Sequence, residues 1–243
     1  MEWYKNWFNS EEYLKVYRHR DEKEAIELNQ LVINNIEVSK VKTVLDMAAG
    51  SGRHAVIFAK QGFKVTAVDL SENLLSIGKK YAENENVNIE FVHSDIRQFN
   101  PNIKYHLILN LFTSMGYFEK DEENYFILSK AYKLLENNGY FVLDYFNKRF
   151  VENNLVPSTV DEFDGSVITQ NRFIEGERII KEITIDNKGK ISKYFESVRM
   201  FSKDELINMM EKLGFRIIKT FGDFMGNSFD LESSPRIIII ACK

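Results

Sequence analysis

One stretch of the chain restricts its fold more than any other: an apolar run that ends in an acid and a turn of small residues. The run covers residues 43–47 and includes Asp46, and the turn after it contains Gly50 and Gly52. Apolar residues then recur at helical spacing, and a second strand-like run ends at Asp69. Strand, small-residue turn, helix, strand and acid in this order predict a nucleotide-type site in a doubly wound α/β domain.

Strand-like and helix-like segments alternate along most of the chain. This alternation favours parallel strand pairing with right-handed crossovers. After residue 150 three strands joined by short turns predict an antiparallel insertion, and two final strands follow a capped helix. We therefore predict an α/β fold with a doubly wound, mostly parallel seven-stranded sheet and an antiparallel β insertion after strand five. The first five predicted strands cover residues 41–47, 63–69, 89–92, 107–111 and 140–145.

Composition restricts the partners and the compartment. The 243 residues include 44% hydrophobic and 13% aromatic residues, enough for a packed core, and the formal net charge is −4. No long basic run appears, which argues against a nucleic acid as partner. Cys242 is the only cysteine and the four histidines lack ligand spacing, so no disulfide and no metal are expected. No apolar run approaches the roughly 20 residues that span a bilayer, and we expect a cytoplasmic monomer or homodimer.

Two classes of cofactor compete for the small-residue turn. Residues 50–55 match the Gly-x-Gly-x-x-Gly/Ala pattern of nicotinamide dehydrogenases, and Asp69 lies 19 residues after Gly50. That turn would hold a pyrophosphate, which the Asp46 carboxylate would repel by a few kcal/mol at ~4–6 Å. S-adenosylmethionine has a sulfonium cation and no phosphate. The sign of the charge at Asp46 therefore favours S-adenosylmethionine.

These segments resemble the motifs of class I S-adenosylmethionine-dependent methyltransferases. Residues 44–52 resemble the first motif, with Ala48 in place of its first glycine. Asp69 resembles the acid of the second motif, which in the family accepts the ribose hydroxyls. Asp95 and Ile96 resemble the third motif, at the adenine ring. Residues 13–21, 52–55, 112–118, 196–199 and 222–236 resemble a bacterial subgroup of small-molecule methyltransferases. The β insertion after the fifth strand resembles that of some sugar-amine and glycine methyltransferases, in which it usually covers the substrate.

The sequence departs from the family pattern around the fourth strand. Tyr105 and His106 stand where many members have Phe-Asp, so an imidazole replaces a carboxylate. After the strand, residues 110–118 lack the Asn/Asp-Pro-Pro-Tyr/Phe motif of enzymes that methylate adenine or glutamine amide nitrogen. The resemblance therefore disfavours those two substrates and implies a small-molecule acceptor.

The resemblance implies a set of cofactor contacts around the carboxyl ends of the parallel strands. The methionine moiety would lie on the small-residue turn. The N-terminal helix would close over its end, with an aromatic helix that only packs on the core as the alternative. The predicted contacts are Tyr17, Arg20, Asp46, Ala48, Gly50, Gly52, Asp69, Leu70, Asp95, Ile96, Asn110 and Leu111.

Catalysis of methyl transfer requires few protein groups. The reaction is an in-line displacement, in which excluding water and aligning the acceptor contribute most of the rate. A base is needed only if the acceptor must lose a proton, and His54 beside the turn is the candidate, with a helix-surface position as the alternative. Tyr117 and Tyr145 are further candidates at strand ends. Arg199, close to Glu196, is a candidate for holding an anionic substrate, with a surface ion pair as the alternative.

The resemblance and the pattern together predict three parts. Residues 1–40 form a helical lid, residues 41–150 and 201–243 bind S-adenosylmethionine in a Rossmann-like domain, and residues 151–200 cover the substrate. The predicted function is O- or N-methylation of a small molecule. The alternatives are a nicotinamide-dependent dehydrogenase and a non-enzymatic regulator that binds S-adenosylmethionine.

Overall fold

The computed structural model describes residues 2–18 and 22–243, so one predicted cofactor contact, Arg20, lies outside the described residues. The helices there are α1 (Trp3–Phe8), α2 (Glu12–Val16), α3 (Glu22–Asn34), α4 (Arg53–Lys60), α5 (Glu72–Asn84), α6 (Asp121–Leu134), α7 (Lys148–Asn154) and α8 (Lys203–Leu213). The strands are β1 (Thr43–Met47), β2 (Lys64–Asp69), β3 (Ile89–His93), β4 (Tyr105–Asn110), β5 (Leu135–Phe146), β6 (Ser158–Phe163), β7 (Ser166–Glu175), β8 (Arg178–Asn187), β9 (Lys190–Arg199), β10 (Arg216–Phe221) and β11 (Arg236–Cys242).

The central sheet has seven strands in the order β10-β11-β5-β4-β1-β2-β3. Strands β1 to β5 pair in parallel, and β11 is antiparallel to both of its neighbours. Leu45, Leu107 and Ile108 are fully buried because the sheet is covered on both faces. The predicted doubly wound, mostly parallel α/β fold with a late hairpin is confirmed.

The insertion forms a second sheet, antiparallel throughout, in the order β6-β7-β8-β9. Its last two hairpin turns include Gly176 and Gly189, both with positive φ, where the sequence predicts hairpins. Sequence reasoning missed β6 because Ser158–Phe163 is largely exposed and has few apolar residues to mark a strand. The sheet therefore has one more strand than the pattern predicts.

The N-terminal helices α1 and α2 pack on the insertion sheet. Trp3, Trp7 and Val16 share one apolar cluster with Ile168 and Ile183. The aromatic rings of the N-terminal segment and the β-branched side chains of the insertion thus bury each other. No helix in the described parts of the chain has the length and apolarity needed to cross a bilayer.

Candidate active site

The small-residue turn between β1 and α4 is held in left-handed backbone conformations. Ala48, Gly50 and Gly52 have φ angles of 59°, 57° and 71°. Ala48 adopts this conformation although it has a Cβ, at a cost of about 1–2 kcal/mol. The turn leads directly into α4, and the Ala55 N–H in the first turn of this helix bonds the Asp46 carboxylate.

Helix α5 supports this turn through Gly78. A Cβ at position 78 would lie 2.9 Å from the Ser51 carbonyl oxygen and 2.8 Å from the Phe91 ring. The helix backbone can therefore approach the turn only because residue 78 has no side chain. Sequence reasoning missed Gly78, although a lone glycine inside a helix is a signal of close packing.

Asp46 is buried at the end of β1 with one carboxylate oxygen unpaired. Burial and the charge of Asp69 raise its pKa to about 7, although the Ala55 N–H and Arg53 oppose this rise. Its Oδ2 has no partner among the described residues, and neither has Oδ1 of Asn110 on the adjacent strand β4. Two unpartnered buried acceptors suit an ammonium group, so these residues fit the amino-acid end of S-adenosylmethionine.

Asp69 at the end of β2 is held by backbone donors. Its two oxygens accept the N–H groups of Gly50 and Ser71, each at 2.7 Å. Burial raises the pKa of Asp69, and these N–H groups oppose the rise. Each oxygen keeps a second lone pair, so the carboxylate is able to accept ribose hydroxyls as well.

Asp95 is engaged by Arg97, which sequence reasoning missed. The Arg97 Nη2 lies 2.6 Å from Asp95 Oδ2, and the same guanidinium contacts Glu2 and Glu123. Partial burial raises the pKa of Asp95, but the hydrogen bonds and charge of Arg97 outweigh it and lower the pKa. Arg97 therefore links the predicted adenine contact to the N-terminal segment and to α6.

Most of the predicted cofactor contacts line one groove above the carboxyl ends of the strands. Gly52 and Asn110 lie behind its surface, in the turn and at the end of β4. The predicted contacts that line the groove are Tyr17, Asp46, Ala48, Gly50, Asp69, Leu70, Asp95, Ile96 and Leu111.

A second cavity of about 550 Å³ adjoins the groove. We call it the acceptor cavity, and this volume suits a small molecule. Besides the side chains that it shares with the groove, its walls come from the insertion sheet, the loop after β10 and the start of β11. Five side chains line both the groove and the acceptor cavity: Phe8, Tyr13, Tyr17, Phe112 and Tyr117.

His54 lines the groove but not the acceptor cavity. It is 5% exposed, and its Nδ1 lies 2.8 Å from Asn29 Oδ1. The Asn29 amide also donates to the His54 carbonyl, so the ring proton is assigned to Nδ1. Burial lowers the pKa of His54 to about 3, which keeps the ring neutral and makes it a weak base.

The two candidate tyrosines lie in different places. Tyr117 lines both the groove and the acceptor cavity, and its hydroxyl donates to the Thr113 carbonyl at 2.6 Å. Tyr145 is fully buried, its hydroxyl donates to the Arg199 carbonyl, and it lines neither space. The structure does not bring Tyr145 to the site, because its ring packs toward Phe201.

Arg199 also lies away from both spaces. Its guanidinium pairs with Glu177 at 3.1 Å and Glu205 at 3.0 Å. Glu205 thus ties the end of β9 to the start of α8, and Glu177 ties it to the turn between β7 and β8. Arg199 therefore does not reach the candidate site, and it does not pair with Glu196 either, because Glu196 pairs with Lys181.

Residues 44–139 match the family model described as a methyltransferase domain. The chain is 25% identical over 210 residues to a protein of Geobacillus sp. (strain WCH70) named as a methyltransferase, with 83% of this chain and 85% of that protein covered. It is 25% identical over 204 residues to a glycine/sarcosine N-methyltransferase of Aphanothece halophytica, with coverages of 80% and 74%. An S-adenosylmethionine-dependent methyltransferase from Clostridium acetobutylicum ATCC 824 shares the fold, with a TM-score of 0.81, 16% identity and 95% of each chain covered.

Proposed function

Since the chain is an S-adenosylmethionine-dependent methyltransferase with small-molecule methyltransferases among its relatives, we propose that it methylates an amine nitrogen. The acceptor would lie in the acceptor cavity, next to the wall shared with the cofactor groove. The N-terminal helices and the insertion sheet would cover it there. The predicted contacts along the groove would hold the cofactor.

The observation that carries the proposal is that no free base lies among the described residues that line the acceptor cavity. Each carboxylate among the described residues of its lining has a partner. Glu196 accepts from Trp7 and Tyr17, and the loop after β10 donates to Asp223. A hydroxyl acceptor needs a base to remove its proton, whereas a neutral amine already has a nucleophilic lone pair. The cavity therefore suits an amine better than a hydroxyl.

The residues of this chain would contribute positioning and exclusion of water. When bound, the cofactor supplies a methyl group on a positively charged sulfur. The rings of Phe112, Tyr117 and Tyr17 form the wall between donor and acceptor, and they keep water from the charged ground state. The relative named as a glycine/sarcosine N-methyltransferase agrees with this reading.

The test compares acceptors that differ only in the reacting group. Formation of S-adenosylhomocysteine is measured with glycine against glycolate and with glucosamine against glucose. We expect the amine of at least one pair to react, with its hydroxyl partner slower by roughly 100-fold because no base assists it. The rate should rise with pH as more of the amine loses its proton.

Two results would contradict the proposal. Faster methylation of the hydroxyl partners would assign O-methylation. Tight binding of S-adenosylhomocysteine without transfer to any amine in a broad panel would favour the regulator alternative. Asp69→Ala is the control, since it removes the predicted ribose acceptor and should abolish both cofactor binding by calorimetry and turnover.

A further inference from the structure

We propose that Arg236 anchors an anionic group of the acceptor, so that the substrate is an amine that also carries a carboxylate or a phosphate. Arg236 begins β11, lines the acceptor cavity and has a side chain that is 20% exposed. The inference rests on the proposed function for the amine and for placing the acceptor in this cavity. Nothing in the methyl-transfer step itself requires a guanidinium there.

The guanidinium of Arg236 is held in place on one edge. Its Nε donates to Asp144 Oδ1 at 2.5 Å, and Asp144 at the end of β5 is fully buried. Its Nη2 donates to Thr113 Oγ1 at 3.1 Å. The carbon of the guanidinium lies 5.5 Å from the Phe224 ring centre and 5.7 Å from that of Phe112. A buried carboxylate and two rings therefore fix the orientation of this side chain.

The contacts that hold Arg236 in place leave part of its guanidinium available to donate hydrogen bonds. Asp144 contacts only Nε, because its Oδ2 accepts the Phe112 N–H at 2.8 Å. Among the described residues, Nη1 of Arg236 has no hydrogen-bond partner. A planar guanidinium with free N–H groups is suited to bind two oxygens of a carboxylate or a phosphate.

The other cation of the acceptor cavity differs from Arg236 in this respect. Lys181 Nζ lies 2.9 Å from Glu196 Oε2 and also donates to the Tyr17 hydroxyl. Its ammonium is thus used in joining the insertion sheet to the N-terminal helices. Arg236 is the cation of the described lining that keeps an unused, pre-oriented donor edge.

The ion pair between Arg236 and Asp144 also limits which anions this site binds. Because the carboxylate neutralises the guanidinium, the site offers directed N–H donors rather than a strong positive field. Selection would then depend on the geometry of the anionic oxygens and on their distance from the amine. Two acceptor classes share this chemistry, namely amino acids and amino sugars joined to a phosphate.

Binding of simple anions tests the inference without any methyl transfer. The protein is saturated with S-adenosylhomocysteine, and acetate, phosphate and pyrophosphate are titrated by calorimetry. We expect at least one anion to bind the wild type and to bind Arg236→Gln roughly 10- to 100-fold more weakly, because a charged hydrogen bond is lost. Preference for acetate identifies a carboxylate, and preference for phosphate or pyrophosphate identifies a phosphorylated acceptor.

A matched control and a second variant test whether loss of the Arg236 guanidinium, and not loss of charge in general or unfolding, causes the weaker anion binding. Arg149→Gln removes an exposed arginine of α7 that pairs with Glu232 and lines neither space, so it should leave anion affinity unchanged. Arg236→Gln leaves Asp144 unpaired, so the double variant with Asp144→Asn is tested as well, with thermal unfolding to verify folding.

The inference is overturned by either of two results. One is that no anion binds the wild type, and the other is that the folded double variant binds all three anions as tightly as the wild type does. Neither result depends on turnover, so failure of the N-methylation proposal would appear separately, in the acceptor assay.

Discussion

At the scale of single residues, the charge state of Asp46 is the feature with the largest consequence. The carboxylate is 2% exposed and lies near Asp69, and one of its oxygens has no partner among the described residues. The ordinary reason for such a group is a ligand that completes its hydrogen bonds. The cofactor ammonium fits that role, because it supplies both the donors and the opposite charge.

Cofactor affinity should therefore depend on pH through Asp46. Its pKa is raised to about 7, mainly by burial, so the empty site holds a proton below that pH. An ammonium ligand must displace this proton, and affinity for S-adenosylhomocysteine should rise by up to about tenfold per pH unit between about pH 5.5 and pH 7. Above the pKa the curve should flatten.

Calorimetry across this pH range measures the effect. Asp46→Asn is the control, since an amide does not titrate, and its affinity should be lower and nearly independent of pH. Equal slopes for the wild type and Asp46→Asn would assign the pH dependence to another group.

At the scale of secondary-structure elements, the small-residue turn depends on how closely α5 approaches it. Ser71 caps this helix by accepting the Leu74 N–H, and the same hydroxyl donates to the Phe8 carbonyl. Gly78 then allows the middle of the helix to meet the turn. The position of the turn is therefore set by a neighbouring helix as well as by its own glycines.

Gly78→Ala should weaken cofactor binding as well as the fold. The added Cβ would overlap the Ser51 carbonyl and cost about 1–3 kcal/mol, partly offset by the better helix propensity of alanine. Because the turn must shift, affinity for S-adenosylhomocysteine should fall roughly tenfold. Ser76→Ala, on the exposed face of the same helix, serves as control. Unchanged affinity in Gly78→Ala would show that the turn moves without consequence.

Local pattern predicts most of these elements, and its failures have physical causes. The strand and helix alternation and the acids at 46, 69 and 95 are local signals, and the structure places those acids along one groove. Hydrogen bonds between distant positions leave no such signal: Arg236 meets Asp144 92 residues away, and Trp7 meets Glu196 189 residues away. The expectation that Tyr145 lies at the site fails because strand-end position alone does not determine the direction of a side chain.

At the scale of the whole molecule, Glu196 joins two segments that are far apart in the chain. This buried carboxylate accepts from Trp7 Nε1 and the Tyr17 hydroxyl, each at 2.6 Å, and pairs with Lys181 at 2.9 Å. Burial raises the pKa of Glu196, but Lys181 and the three hydrogen bonds outweigh it and lower the pKa. The N-terminal helices are thus attached to the insertion sheet by charge as well as by apolar contact.

Glu196→Gln should loosen the N-terminal helices without disturbing the central sheet. We expect faster amide hydrogen exchange over residues 3–16, with a local loss on the order of 2 kcal/mol. Because the folded pKa of Glu196 is lowered, its stabilising effect is present above the unfolded value of 4.5 and is lost as pH falls below it. The difference between the variant and the wild type should therefore shrink on acidification.

Glu182→Gln is the matched control, because this glutamate lies on the same sheet and is exposed. Amide hydrogens over residues 3–16 should exchange in this variant as fast as in the wild type at every pH. Equal exchange over residues 3–16 in all three proteins would show that the apolar cluster alone holds these helices.

The wall of five side chains shared by the groove and the acceptor cavity has a consequence for changing the enzyme. A substitution at Phe112 or Tyr117 alters two binding surfaces at once, so selection for a new acceptor at these positions also tests retention of the cofactor. Ile179 and Val198 line only the acceptor cavity. Natural divergence and laboratory evolution alike have more freedom at those two positions, where acceptor preference is able to drift while the methyl donor stays bound.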